Sequence, residues 1–266
     1  MKAIVDTTVL TDALIKPGGQ GDVARASLQR YKPTLLPTYA IKEFKAGPLH
    51  YYVWFHNKVV EASTYGEVIA AISANIGWRR HLPATAMKAL ADFSSSIAKQ
   101  TPPEISRMYP DLTVDGAQLL QLRRWLKQRI LRTWRNRRNL VSEVISPLSC
   151  YVEKAPELRH SGQLDDAPLK CGVVDCCLRQ RYKDRLGDLE LLEKASVGTK
   201  VETVKRRAAL NRLRRHPKSD YEEKHCRALG DAVFSLDCPD DAVILTTNIV
   251  DHEPLARALG RCVEAP

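Results

Sequence analysis

Two short apolar runs at opposite ends of the chain constrain its fold more than any bulk property. The first ten residues read MKAIVDTTVL, and about 240 residues later the chain reads DDAVILTTNIVDHEPLARALG. Each run is too short for a helix, is rich in Val and Ile, and stops at polar residues with an aspartate among them. Buried strands of a parallel sheet read this way. A helical pattern follows each run. The arrangement therefore predicts an α/β fold whose parallel sheet is built from both chain ends, with a mainly helical insertion between them.

Met1 to Val5, Thr34 to Leu36, Val243 to Thr246 and Arg261 to Glu264 read as the strands. A short helix follows the first, with Thr7 or Thr8 as its cap. Another begins near Thr38 and carries Glu43 in its second turn. From Ala62 to Pro147 the pattern is helical, broken at Pro83, at TPPE and near YPDLTVDG, with strand signals nearly absent. The segment from Leu148 to Cys177 is irregular and reads as a connection. Helical pattern returns from Leu178 to Leu213, from Tyr221 to Leu236 and from His252 to Leu259. The expected organisation is a core of residues 1–62 and 220–266 around an insertion of residues 63–219, without internal repeats.

At 266 residues the chain is long enough to bury a sizeable core. No stretch approaches the roughly 20 consecutive apolar residues of a membrane-spanning helix. The start lacks the basic and apolar regions of a secretory signal, so a cytoplasmic setting is expected. Seven cysteines at irregular spacing argue against a disulfide framework and for free thiols.

The strand tips carry the chemistry. In an open parallel sheet, ligands bind beyond the carboxyl ends of the strands. Asp6 follows the first strand, and Asn248 and Asp251 follow a late one. Carboxylates that converge there repel one another and call for a cation. Oxygen donors without a His or Cys cluster suit Mg²⁺ or Mn²⁺.

The stretches IVDTTVL, YAIKEFKAGPL and RALGDAVFSLDCPDDAVILTTNIVDHEPLA resemble the PIN domain, a three-layer α/β metal-dependent nuclease fold of toxin ribonucleases and RNA-processing enzymes. The resemblance covers about Met1 to Val60 and Tyr221 to Pro266. It implies that Asp6, Glu43 and Asp231 are catalytic, metal-holding carboxylates, that Asp251 is a further catalytic ligand or a hydrogen-bond acceptor behind them, and that Thr7 and Asn248 orient the scissile phosphate or a metal-bound water. Hydrolysis would proceed by in-line attack of a metal-activated water on phosphorus. The long insertion leaves Asp220, Asp237, Asp240 and Asp241 as alternatives to Asp231. Read without the resemblance, Asp6 and Asp231 would equally serve as helix N-caps, and Glu43 as a solvent-facing helix residue.

The excess of positive charge, +10 in total, is concentrated in two helical runs. In LLQLRRWLKQRILRTWRNRRNL the stripe Leu119, Leu122, Leu126, Ile130, Trp134 faces inward, leaving Arg124, Lys127, Arg132, Arg135 and Arg138 for phosphate contacts. In KVETVKRRAALNRLRRHPK, Val201, Val204, Ala208 and Leu213 read as inward and Lys205, Arg206, Arg207, Arg212, Arg214 and Arg215 as outward. Such faces suit nucleic acid, with RNA preferred through the resemblance alone. Trp125 and Trp134 are base-stacking candidates, Trp134 reading as core. An acidic inhibitor or antitoxin, a defence-complex protein or a second copy of the chain are further expected partners, and a toxin or defence effector the expected setting. Two rival functions stay open: a structure-specific DNA nuclease, and an inactive nucleic-acid-binding or assembly module.

Other signals are weaker. Cys171, Cys176 and Cys177, with Cys150, Cys226, His160 and His225 elsewhere, lack the paired spacing of zinc knuckles and read as buried thiols. PGGQG lacks the Lys-Ser/Thr of a phosphate loop. His252, next to Asp251, reads as either a phosphate contact or a structural residue.

Overall fold

The computed structural model describes residues 1–16, 18–77, 81–165, 177–215 and 223–266, the side chain of Glu223 excepted. The chain opens with β1 (Lys2–Val5), α1 (Thr7–Ile15), α2 (Gly19–Arg30), β2 (Thr34–Pro37) and α3 (Thr38–Phe44). Helices α4 (His50–Glu61), α5 (Tyr65–Ser73), α6 (His81–Ile97), α7 (Pro102–Met108) and α8 (Val114–Asn136) follow. Next come β3 (Glu143–Ile145) and the short hairpin β4 (Glu157–Leu158) and β5 (Leu164–Asp165). The remainder is α9 (Cys177–Tyr182), α10 (Leu186–Ala195), α11 (Val201–Arg215), α12 (Glu223–Asp237), β6 (Ala242–Leu245), α13 (Ile249–Ala258) and β7 (Cys262–Glu264).

Two compact units result. One comprises Met1–Phe44, Asn136–Glu153 and Pro168–Pro266; the other comprises Lys45–Arg135 and Lys154–Ala167. The division differs from the expected one: residues 45–62 leave the sheet unit, and much of the expected insertion, including β3, α10 and α11, joins it.

In the first unit, five parallel strands run in the order β3, β2, β1, β6, β7. The central β1 pairs Ala3 with Thr34 on one side and with Val243 on the other. Ala3, Ile4, Val5, Leu36, Ile244 and Leu245 are buried, as the continuous apolar runs require. The chain leaves β1 toward β2 and β3, then returns to the far side of β1 for β6 and β7. The gap between the carboxyl ends of β1 and β6 is thus the topological switch point, where such sheets bind ligands. The fifth strand corrects the expectation of a sheet drawn only from the chain ends: β3 comes from the middle and lies on the edge, paired through Leu36 and Val144.

On α11 the inward face is Arg206, Ala209, Leu210 and Leu213, while Val201 and Val204 are exposed, which corrects the expected phase of that helix. Helix α11 packs on α10 and α12, and α12 on α13.

In the second unit, α8 buries Leu119, Leu122, Leu126, Ile130 and Trp134, the stripe read from the sequence. Each such side chain contributes about 1.5–3 kcal/mol on burial. Arg123, a basic residue of the same run, donates to the carbonyls of Val59 and Ala62 and closes the end of α4. Pro83 does not break the helix but sits in the first turn of α6, where its missing N–H costs nothing. TPPE is a helix start, with Thr101 and Glu104 forming a capping box around α7. Asn57 pairs with both backbone groups of Leu164, docking β5 on α4. No described helix is long and apolar enough to cross a membrane.

Candidate active site

Asp6 stands at the N-cap position of α1, yet its side chain makes no capping bond. Instead Oδ2 accepts from Thr8 Oγ1 and from Thr246 Oγ1, each at 2.6 Å. Thr246 is the first residue beyond β6, so the two strand tips on either side of the switch point meet at this carboxylate. The backbone reinforces the junction, the Asp6 N–H donating to the Leu245 carbonyl at 3.0 Å. The expectation that Thr7 or Thr8 caps α1 is therefore not met, and neither is the plain capping role for Asp6. Its carboxyl is 3% exposed and points across the sheet rather than into its own helix.

Glu43 arrives from α3, directly after β2. It is half-buried rather than solvent-facing: its Oε2 accepts from Thr7 Oγ1 at 2.7 Å, so Thr7 ties the glutamate to the tip of β1. Burial, with the charges of Asp6 and Asp231 adding to it, raises the Glu43 carboxyl to about 8 against the Thr7 hydrogen bond. Three carboxylates from three separate stretches of chain thus feel one another.

Asp231 reaches the cluster from α12, just beyond a kink at Gly230 (φ 22°, ψ −104°) that divides the helix. That φ favours glycine, and it lets the chain restart a helical turn at the aspartate. Asp231 is paired with Arg206 of α11 and lies 3.4 Å from Nε2 of His252. Burial raises its carboxyl pKa; His252 and Arg206 oppose this, and Asp6 and Asp251 add to it.

The alternatives to Asp231 are engaged elsewhere. Asp237 accepts from Arg181 Nε and from the Tyr182 hydroxyl, both at 3.0 Å. Asp241 pairs with Lys2 at 2.8 Å, and Asp240 pairs with Arg261. Asp220 lies outside the described residues.

Asn248 and Asp251 flank the start of α13. Asn248 occupies the N-cap position without a side-chain capping bond, and its Nδ2 donates to Asp251 Oδ2 at 3.0 Å. Both line an open cavity of about 800 Å³ together with Glu43, Asp231, Lys205, Arg206, Lys224 and Arg227.

His252 is the residue that sequence reasoning left undecided. It is 1% exposed, lies 3.6 Å from Asp6 Oδ2 and 3.4 Å from Asp231 Oδ1, and packs edge-on against Phe234. Neither ring nitrogen has a hydrogen-bond partner at normal geometry, so its link to the aspartates is ionic when the ring is protonated. Burial disfavours the imidazolium, but Asp6 and Asp231 more than compensate and raise its pKa. Conversely, burial opposes ionisation of Asp6, yet His252, Thr246 and Thr8 hold its carboxyl below the usual range. Arg206, and His252 when its ring is protonated, therefore offset the charge of the aspartates. Among the described residues no three His, Cys, Asp or Glu side chains stand ready as a metal-holding group.

The expected phosphate-contacting residues divide. Arg124, Arg132 and Arg135 are exposed on α8, and Lys127 is half-buried there. Arg138 is exposed but shares Glu153 with the buried Arg137. On α11, Lys205 is exposed and Arg212 half-buried. Arg206 is a correction: at 7% exposure it turns inward to Asp231 rather than outward. Arg214 likewise pairs with Glu193 at 2.8 Å. Trp134 is buried, and Trp125 lies beneath Arg129 with 5.0 Å from guanidinium carbon to ring centroid. Of the thiols, Cys150 and Cys177 lie with sulfurs 2.8 Å apart, and Cys171 and Cys176 fall outside the described residues.

No protein-family profile, curated protein or solved structure matches the chain.

Proposed function

We propose that the chain is a metal-dependent nuclease of PIN-like type, hydrolysing phosphodiester bonds of RNA. The observation that carries this reading is the meeting of Asp6, Glu43 and Asp231 at the switch point of a parallel sheet, where burial, with the charges of Asp6 and Asp231 adding to it, raises the carboxyl of Glu43 to about 8. A fold gains nothing in stability from such a cluster, and perturbed carboxyls in a cleft are the mark of a site that does chemistry.

The donor set fits a hard divalent cation. Carboxylate oxygens are the preferred ligands of Mg²⁺ and Mn²⁺, and the repulsion that Arg206 and His252 offset in the metal-free chain is the repulsion a cation would relieve. Asp6, Glu43 and Asp231 would hold the ion, with Asp251 at the edge of the cavity. When bound, the ion supplies charge neutralisation at phosphorus and an acidified water.

The protein's own part is positional. Thr8 and Thr246 fix Asp6, and Thr7 fixes Glu43, so neither carboxylate needs to reorganise when the substrate arrives. Asn248, held by Asp251, presents its amide beside the cavity. Lys205, Lys224 and Arg227, which line the same cavity, attract the phosphates of a single strand. The preference for RNA over DNA comes from the resemblance set out above.

The test is incubation of purified protein with labelled single-stranded RNA, single-stranded DNA and a folded transfer RNA, in Mn²⁺, Mg²⁺ or EDTA, beside Asp6→Asn. Cleavage that needs metal and is absent in the variant is expected, with RNA cut faster. Tight binding without cleavage of any substrate would favour the binding module instead.

A further inference from the structure

Arg206 is buried within a helix whose neighbouring basic residues, Lys205 and Arg207, are exposed. A guanidinium so placed is costly unless paired, and leaving its partner unpaired is costlier still. Its partner is Asp231 Oδ2, while the Arg206 Nε has no hydrogen-bond acceptor. The pair is thus incomplete for a purely structural anchor. It also consumes one carboxylate of the cluster and lies on the wall of the same cavity as Glu43, Asn248 and Asp251.

We infer that Arg206 is the resident counter-ion of the metal site, competing with the divalent cation for Asp231 and moving out of the pair when the cation binds. The inference rests on the metal-dependent reading above. Arg206 and a divalent ion draw on the same negative charge at Asp231 and repel each other, so the pairing of Arg206 subtracts from metal affinity. Once released, its planar fork stands in a cavity also lined by Lys205, Lys224 and Arg227, a setting suited to a phosphate oxygen.

Two measurements test it, neither of which reads activity. The first uses wild-type protein: phenylglyoxal modification of Arg206, followed by peptide mass spectrometry, with and without Mn²⁺. Arg206 is expected to be protected without metal and modified several times faster with it; an unchanged or slower rate overturns the inference. The second is calorimetric titration of Mn²⁺ into wild-type, Arg206→Gln and Arg206→Lys proteins. Loss of the competing charge in Arg206→Gln is expected to tighten binding about tenfold or more, whereas Arg206→Lys, which keeps a cation, stays close to wild type. Equal or weaker binding by a folded Arg206→Gln overturns the competition and leaves the nuclease reading standing. No Mn²⁺ binding by any of the three proteins removes the metal reading, and the inference with it.

Discussion

Glu43→Gln is expected to make the metal-free protein more stable at neutral pH while removing its activity. The carboxyl titrates near 8 in the folded protein against 4.5 in a free glutamate, chiefly because burial disfavours its charge. The sign follows from proton counting. Between these two values the folded state holds a proton that the unfolded state has released, so stability falls as pH rises from about 4.5 to about 8. At pH 7 the gap from the unfolded value is about 2.5 units at about 1.4 kcal/mol each, an upper bound of ~3 kcal/mol. The half-buried position of Glu43 and its coupling to Asp6 and Asp231 reduce this to about 1–3 kcal/mol. A neutral amide of the same shape keeps the Thr7 hydrogen bond and is spared the titration. Thermal unfolding in EDTA should therefore place Glu43→Gln roughly 2–9 °C above wild type at pH 7, with the difference shrinking to nothing near pH 4.5. A variant that melts lower than wild type at pH 7, or a gap that does not change with pH, would refute the reasoning and return Glu43 to an ordinary structural role.

Four other outcomes are expected. Metal binding below pH 8 should release about one proton from Glu43, measurable as calorimetric heats that change with the ionisation enthalpy of the buffer; no buffer dependence at pH 6.5 would contradict it. Asp231→Asn should abolish cleavage, whereas Asp237→Asn should retain it and lose about 1–3 kcal/mol of stability as Arg181 and Tyr182 lose their charged acceptor; the reverse pattern would exchange the two aspartates. Replacing Arg124, Arg132 and Arg135 with Gln together should reduce the slope of log affinity for single-stranded RNA against log salt by about 2, read by filter binding, and an unaltered slope would remove them from the interface. Cys177, whose thiol is drawn down to about 6 mainly by its hydrogen bond with Cys150, should be alkylated by iodoacetamide ahead of Cys226, Cys238 and Cys262 at pH 7; slower labelling than these would show that the thiolate is not formed.

The strands that place the site were legible because burial on both faces leaves a continuous apolar run, and the acids at their tips stand out against it. β1 and β6, and with them Asp6 and Asn248, were recognisable on that basis. The edge strand β3 was not, since Glu143 and Val144 are exposed and three residues make no pattern. Charge on a helix reads as a solvated face, so nothing local distinguishes Arg206 from Lys205; only the carboxylate brought opposite by α12 turns it inward. His252 is similar: its burial depends on Phe234, Asp6 and Asp231, all distant in sequence. The inward face of α11 was misjudged because Val201 and Val204 suggested an apolar stripe, whereas the packing of α10 and α12 selects Ala209, Leu210 and Leu213. Gly230 carried a signal that was available, a glycine directly before an aspartate within a helical run, which marks a break as readily as an interruption.

The most direct measurement is the position of the cation itself. Crystals soaked in Mn²⁺ and measured for anomalous scattering are expected to show a peak within bonding distance of carboxylate oxygens of Asp6, Glu43 and Asp231, absent from crystals of Asp6→Asn. Peaks confined to other parts of the surface, or a site unaffected by loss of Asp6, would contradict the assignment of this cluster as a metal-dependent hydrolytic centre.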